Sequence, residues 1–312
     1  MTRKILICSA SLIVFAIGGG TLTSSLGASG SSTTTTTSVI WPGTLGGNSS
    51  QAYGTSSTGA VIVGYASNAA SQYRAFRWTA TTGMRDLGDF GYAYASAYGV
   101  SGDGSIVVGE AWDANFNQRA FRWTAANGLQ DLGTLGGPYA VAARVSANGL
   151  VIVGESWDAS SNYHAFRWTA AEGMKDLGTF GGFASGAFGV SADGSVVVGS
   201  AEDANGMTRA FRWTAAGGMK DLGSLGGTSS EAYDVSSDGS TVVGDAADST
   251  GGTRAFEWTA ATGMKSLSSL YAGSLGSGSW FVYANAVSGD GHHVVGWGYN
   301  RRNARYEAYS TN

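Results

Sequence analysis

The side chains with which this sequence could do chemistry are few. It has three histidines, His164, His292 and His293. His292 and His293 are adjacent, and neighbours in a strand point to opposite faces, so they do not make a shared metal site. Glu110 and Glu155 are the nearest candidates for a general acid and base. Such a pair must converge on one bond from a single asymmetric site. These two instead occupy matching positions of a repeat. No nucleophile elbow, phosphate loop or zinc-binding helix motif is present. The sequence therefore assigns no catalytic residue, no metal ligand and no cofactor. What remains is aromatic rings beside hydrogen-bonding groups: Trp112 with Asp113, Trp157 with Asp158, Tyr139, and Trp280 with Phe281. Rings in that company suit a sugar or a protein surface. These seven are the candidate ligand-binding residues.

The elements that must position them come from a repeat. The phrase AFRWTA begins at Ala75, Ala120, Ala165 and Ala210, and returns as AFEWTA at Ala255. Its tryptophans, Trp78, Trp123, Trp168, Trp213 and Trp258, are 45 residues apart. A degraded sixth copy ends the chain at Ala308-Tyr309-Ser310-Thr311. A fixed period in this range marks a repeat architecture. Each unit reads as four short strands. Two apolar runs meet at a Gly-containing turn such as Asp103-Gly104 or Asn148-Gly149, a strong hairpin signal. A polar loop leads to the AFRWTA strand, and a turn such as Ala170-Ala171-Glu172-Gly173 leads to a fourth strand.

Four strands per unit predict an all-β fold, a six-bladed β-propeller over residues 39–312. Phe166 and Trp168 alternate with Ala165 and Arg167, so they share one face and are expected to pack between blades. The chain stops after a sixth third-strand, and residues 39–47 read as a fourth strand with nothing before it. The N-terminal strand is therefore expected to complete the last blade and remove an open edge. A four-residue turn would set Arg77 opposite Asp86 as a cross-strand ion pair. The hairpin turns are monotonous. The loops on the other face vary, and the one insertion falls there, between Ser268 and Tyr283. Variation confined to one face marks a binding face.

Composition narrows the setting. Glycine occurs 50 times and charged residues make up 13% of the chain. That is a turn-dense β composition. The net charge is −4, and loss of Arg3 and Lys4 with a leader makes it −6. This excludes a basic nucleic-acid surface. Residues 1–27 read as a signal peptide: Arg3 and Lys4, an apolar run from Ile5 to Ile17, then small residues. Cys8, the one cysteine, lies within it. Residues 28–38 read as a Ser/Thr-rich tether.

The phrases YHAFRWTAAEGMKDLGTFGG at 163–182 and RAFRWTAAGGMKDLGSLGG at 209–227 resemble the HAF-repeat family of probable extracellular bacterial proteins. The resemblance covers nearly the whole mature chain, and its signature histidine is met only by His164. It implies export and a surface or extracellular setting, and carries no catalytic residues; the export signal itself leaves the periplasm open as the final compartment. The expectation from sequence is a secreted, non-catalytic binding module with a glycan or surface-protein ligand on the variable loops. A carbohydrate-active propeller enzyme and a structural envelope component are the alternatives.

Overall fold

The computed structural model describes residues 39–312. The expected signal peptide and tether lie outside the described residues. The first unit holds β1 (Gly46–Thr55), β2 (Val61–Asn68), β3 (Tyr73–Thr79) and β4 (Gly83–Asp86). The second holds β5 (Gly91–Val100), β6 (Ile106–Asp113), β7 (Gln118–Thr124) and β8 (Gly128–Asp131). The third holds β9 (Gly136–Val145), β10 (Ile152–Asp158), β11 (Tyr163–Thr169) and β12 (Gly173–Asp176). The fourth holds β13 (Gly181–Val190), β14 (Val196–Asp203), β15 (Thr208–Thr214) and β16 (Gly218–Asp221). The fifth holds β17 (Gly226–Val235), β18 (Thr241–Asp248), β19 (Thr253–Thr259) and β20 (Gly263–Ser266). Two short helices follow in the inserted segment, α1 (Leu267–Leu270) and α2 (Ala272–Leu275). The last unit has three strands, β21 (Trp280–Val287), β22 (Val294–Asn300) and β23 (Arg305–Ser310).

Pairing within each unit is antiparallel and sequential. Single parallel bridges, Tyr73 to Tyr94 and Gln118 to Tyr139, join the first three units into a twelve-stranded sheet. The fourth and fifth units are separate four-stranded sheets, and the last is three-stranded.

The core lies between successive units. Val61, Val63 and Ala75 of the first pack on Val107 and Phe121 of the second. Val151, Val153 and Ala165 of the third pack on Val197, Phe211 and Trp213 of the fourth. Phe76, Phe121, Phe166, Phe211 and Phe256 are all fully buried. The aromatic positions of AFRWTA thus fill the space between units, as their alternation predicts.

The hairpin turns tie the units together. The Ser101 hydroxyl donates to the Asp103 carboxylate at 2.6 Å and accepts from the Ile106 N–H at 3.0 Å. Gly104 takes φ +74°, the left-handed conformation that the turn requires. Backbone bonds then run from turn to turn: Ser57 N–H to Gly102 O, Gly102 N–H to Ala147 O, Ala192 N–H to Ser237 O and Ser237 N–H to Gly289 O.

Two expectations need correction. The turn before the fourth strand is one residue tighter than expected, so Phe76 faces Asp86 and Arg77 faces Arg85. The cause is the threonine of AFRWTA. Thr79 Oγ1 accepts from the Thr82 N–H at 3.1 Å and closes the shorter turn. A one-residue slip moves every side chain to the other face. The ion pair is therefore Arg74 with Asp86, at 3.0 Å, repeated by Arg119–Asp131 and Arg209–Asp221. His164 takes the same place opposite Asp176, at 2.7 Å. Arg77 instead reaches the next unit, donating to Gly104 O at 3.1 Å over the Trp123 ring. In the fifth unit Ser266 replaces the aspartate, and Arg254 turns to Asp248 at 3.1 Å.

The second correction concerns the N-terminal strand. Gly46 and Gly47 open β1 rather than complete the last sheet, and Gly46 faces Asn68 of β2. Residues 39–44 form no strand, and Trp41 is 87% exposed. The geometry from Gly43 onward is already that of a crossover into a new unit. Gly43 and Gly46 have φ +85° and +99°, matching Gly88 and Gly91 at +95° and +108°.

Candidate functional site

The first strands of successive units, β1, β5, β9, β13, β17 and β21, are neighbours. They approach so closely that a Cβ on Gly99 would lie 3.4 Å from the Arg144 Cα, and one on Gly189 would lie 3.2 Å from the Asp234 Cα. One residue before this contact stand Tyr53, Tyr98, Ala143, Phe188 and Tyr233. On the second strands, the residue after the buried glycine is Tyr65, Glu110, Glu155, Ser200, Asp245 and Trp297 in turn. Together these positions form a collar of rings and carboxylates at one level of the fold.

The collar has two dense arcs. In the first, Tyr53 lies 5.7 Å from Tyr65 and 5.4 Å from Tyr98, and Tyr73 lies 6.5 Å from Tyr94. Glu110, 5% exposed, accepts from the Tyr98 hydroxyl at 2.8 Å and from the Gln118 amide. Burial pushes its carboxyl up to about 7, against the pull of the tyrosine hydrogen bonds. Burial also raises Glu155 to about 7, with the Glu110 charge as a second cause. In the second arc, the Tyr233 hydroxyl donates to Asp245 at 2.5 Å, and Tyr233, Tyr283 and Trp297 follow at 6.4 and 5.0 Å. Burial raises Asp245 to about 7. Desolvation favours the neutral form of these buried carboxyls, and the tyrosine hydroxyls that donate to Glu110 and Asp245 favour the charged form. Glu110, Glu155 and Asp245 lie within the second strands β6, β10 and β18.

The candidate ligand residues divide differently. Trp112 packs between Tyr92 and Tyr94, 5.9 Å from each, and its indole N–H is buried with no acceptor among the described residues. Trp157 is wedged between Tyr139 at 4.5 Å and Tyr163 at 5.0 Å. Both indoles spend their faces on neighbouring rings. Asp113 accepts from the N–H groups of Asn115 and Asn117, both at 2.9 Å, and closes its own loop. Asp158 does the same with Ser160 and Asn162. Such carboxylates are turn formers. Trp280 stacks on Tyr299 at 4.5 Å under the Arg254 guanidinium. Phe281 lies 4.0 Å from Tyr309. These two belong to the last unit and are not brought together with Trp112 and Trp157. No group of three or more His, Cys, Asp or Glu able to hold a metal occurs among the described residues. No helix among them is long and apolar enough to cross a membrane.

The fold is that of a β-propeller. No family model matches the chain, and no curated protein matches it. Solved structures do. TolB from Acinetobacter baumannii is 13% identical over 81% of this chain and 61% of its own, with a TM-score of 0.52. The β-propeller domain of the Trilobed protease from Pyrococcus furiosus is 8% identical over 84% and 82%, with a TM-score of 0.54. A prolyl endopeptidase is 13% identical over 85% of this chain and 41% of its own, with a TM-score of 0.55. The chain thus spans about three fifths of the length of the TolB it resembles. These likenesses correct the expected function. The neighbours are TolB and peptidase propellers, not glycan-binding modules, and the indoles assigned to a sugar face are committed to intramolecular packing.

Proposed function

We propose that the chain is an exported, periplasmic propeller of the TolB kind that acts through contacts with protein, at the collar of its inner strands. The likeness to TolB over 81% of the chain carries this reading. The collar supports it: its tyrosine bodies are ordered by packing and by hydroxyl bonds to Gln51, Glu110 and Asp245, and aromatic rings ordered in advance favour protein recognition at low entropic cost. The apolar run after Arg3 and Lys4 supports export. The architecture proposed with it has six blades, one per hairpin, in a ring that residues 39–42 close against β23. Kinship with the HAF-repeat proteins is part of the same proposal.

The test is fractionation of producing cells, followed by affinity isolation of the tagged chain. The chain should appear in the periplasmic fraction with its leader removed, and bring down a protein partner. The Tyr53→Ser, Tyr98→Ser, Tyr233→Ser variant should lose that partner while remaining folded. Full-length chain confined to the cytosol, or a partner retained undiminished by the folded variant, contradicts the reading.

A further inference from the structure

The last sheet carries a cavity of about 90 Å³, lined among others by Trp280, Phe281, Tyr299, Asn300, Glu307 and Tyr309. It opens beside β23, whose outer edge pairs with no strand among the described residues. Every other unit has a fourth strand there. The residues just before β1 have the sequence of that missing strand and are unusually exposed: Val39 is 79% and Trp41 87% exposed.

The repeat dictates what each would face. In the first unit Phe76 faces Asp86, Arg77 faces Arg85 and Trp78 faces Met84. Gly43 has the backbone of Gly88, and Leu45 bridges Asn68 as Phe90 bridges Asp113. Residues 39–41 therefore correspond to residues 84–86. Tyr309 and Ser310 of β23, and Thr311 just after it, correspond to Phe76, Arg77 and Trp78. Trp41 would stand opposite Tyr309, Ile40 opposite Ser310 and Val39 opposite Thr311. The charges agree with this register. Where three units pair an arginine, and a fourth a histidine, with an aspartate across this diagonal, the last unit has Glu307 in the arginine's place. An aspartate at 41 would set two carboxylates together. A tryptophan there removes the repulsion and brings an N–H donor to the rim that Glu307 forms.

We propose that Trp41 of this chain's own N-terminal segment seats in the cavity between Phe281, Tyr309 and Glu307, as residues 39–42 add to the free edge of β23. The proposal rests on the ring closure stated above and deepens it: one aromatic anchor latches the ring. Strand addition supplies backbone hydrogen bonds, and the anchored side chain supplies the register. Pro42 takes the place of Leu87, whose N–H donates to Ala75 O at 2.9 Å, so the added strand goes without that one bond.

The full chain with Cys8→Ser, Ile40→Cys and Ser310→Cys tests the closure by oxidation. An intramolecular disulfide is expected. A disulfide between two chains, or none, overturns the proposal together with the closure. A second chain with Cys8→Ser and Leu275→Cys tests the seat, because Leu275 lines the cavity. Adding Trp41→Ala should speed thiol labelling at 275 about tenfold, the change expected when a local cover is lost. Trp41→Phe should restore most of the protection. Unchanged labelling in Trp41→Ala beside a normal intramolecular disulfide leaves the closure standing and overturns the seat.

Discussion

Replacing Gly154 with alanine is expected to destroy the fold. Gly154 sits in the middle of β10, and a Cβ built there lies 1.9 Å from Val141 O and 3.0 Å from the Ala143 N. Both atoms are strand backbone of β9 and cannot rotate away. The register of the pair shifts at this point, which brings the two chains together over the glycine. The same contact recurs at Gly64, Gly109, Gly199, Gly244 and Gly296, at 1.9 to 2.0 Å each. A methyl forced into such a gap costs on the order of 4 kcal/mol or more, enough to unfold a marginally stable domain. Gly173→Ala is the control. Gly173 has φ +70° and open space around its Cβ position, so the cost is conformational strain alone, about 1 kcal/mol. Urea denaturation followed by tryptophan fluorescence distinguishes them. Gly154→Ala should show no cooperative transition, and Gly173→Ala a slightly lowered midpoint. A cooperative Gly154→Ala protein with a near-normal midpoint contradicts the packing described.

The melting temperature should fall as pH rises from about 4.5 to about 7, an unusual direction for a protein of net charge −4. Glu110 and Glu155 titrate from a reference of 4.5, and Asp245 from 3.8, to about 7 in the folded chain. Between those limits the folded state holds protons that the unfolded state has lost. Stability is therefore full below the unfolded value and drops as pH climbs through the folded one. Each group contributes on the order of 3 to 4 kcal/mol over the whole interval, less where Glu110 and Glu155 titrate as a pair. Asp103 and Asp238, held down to about 2 first by the hydroxyls of Ser101 and Ser236, act oppositely. Their contribution is lost below the usual aspartate range, so the optimum falls near pH 4 to 5 by this linkage. Glu110→Gln with Glu155→Gln should flatten the fall between pH 5 and 7. A melting temperature that rises across that interval in the parent chain contradicts the burial of these carboxyls.

Much of the architecture is legible in the sequence because the repeat states it six times. The period, the four strands of each full unit and the buried Phe-Trp stripe follow from spacing and alternation alone. The register between the third and fourth strands does not. It depends on whether the turn keeps three residues or four, and a single threonine hydroxyl, at Thr79, Thr124, Thr169, Thr214 or Thr259, decides it. The collar was hidden for another reason. Tyr98 and Glu110 are 12 residues apart, in different strands, and neither position is constant between units. The available signal was a polar residue recurring directly after the VVG-type run, in a strand otherwise buried on both faces. The variable loops are the more conspicuous feature of the sequence, yet their aspartates shape turns and their indoles pack on tyrosines.

Site-specific photo-cross-linking in intact producing cells tests the central claim most directly. A benzophenone side chain at Tyr98, on the collar, is compared with one at Lys175, exposed on the outer strand β12. Protein contact at the collar predicts a discrete cross-linked product of one size from position 98, and none of that size from position 175. Equal products at both positions, or none at 98 in a folded, exported chain, contradict it.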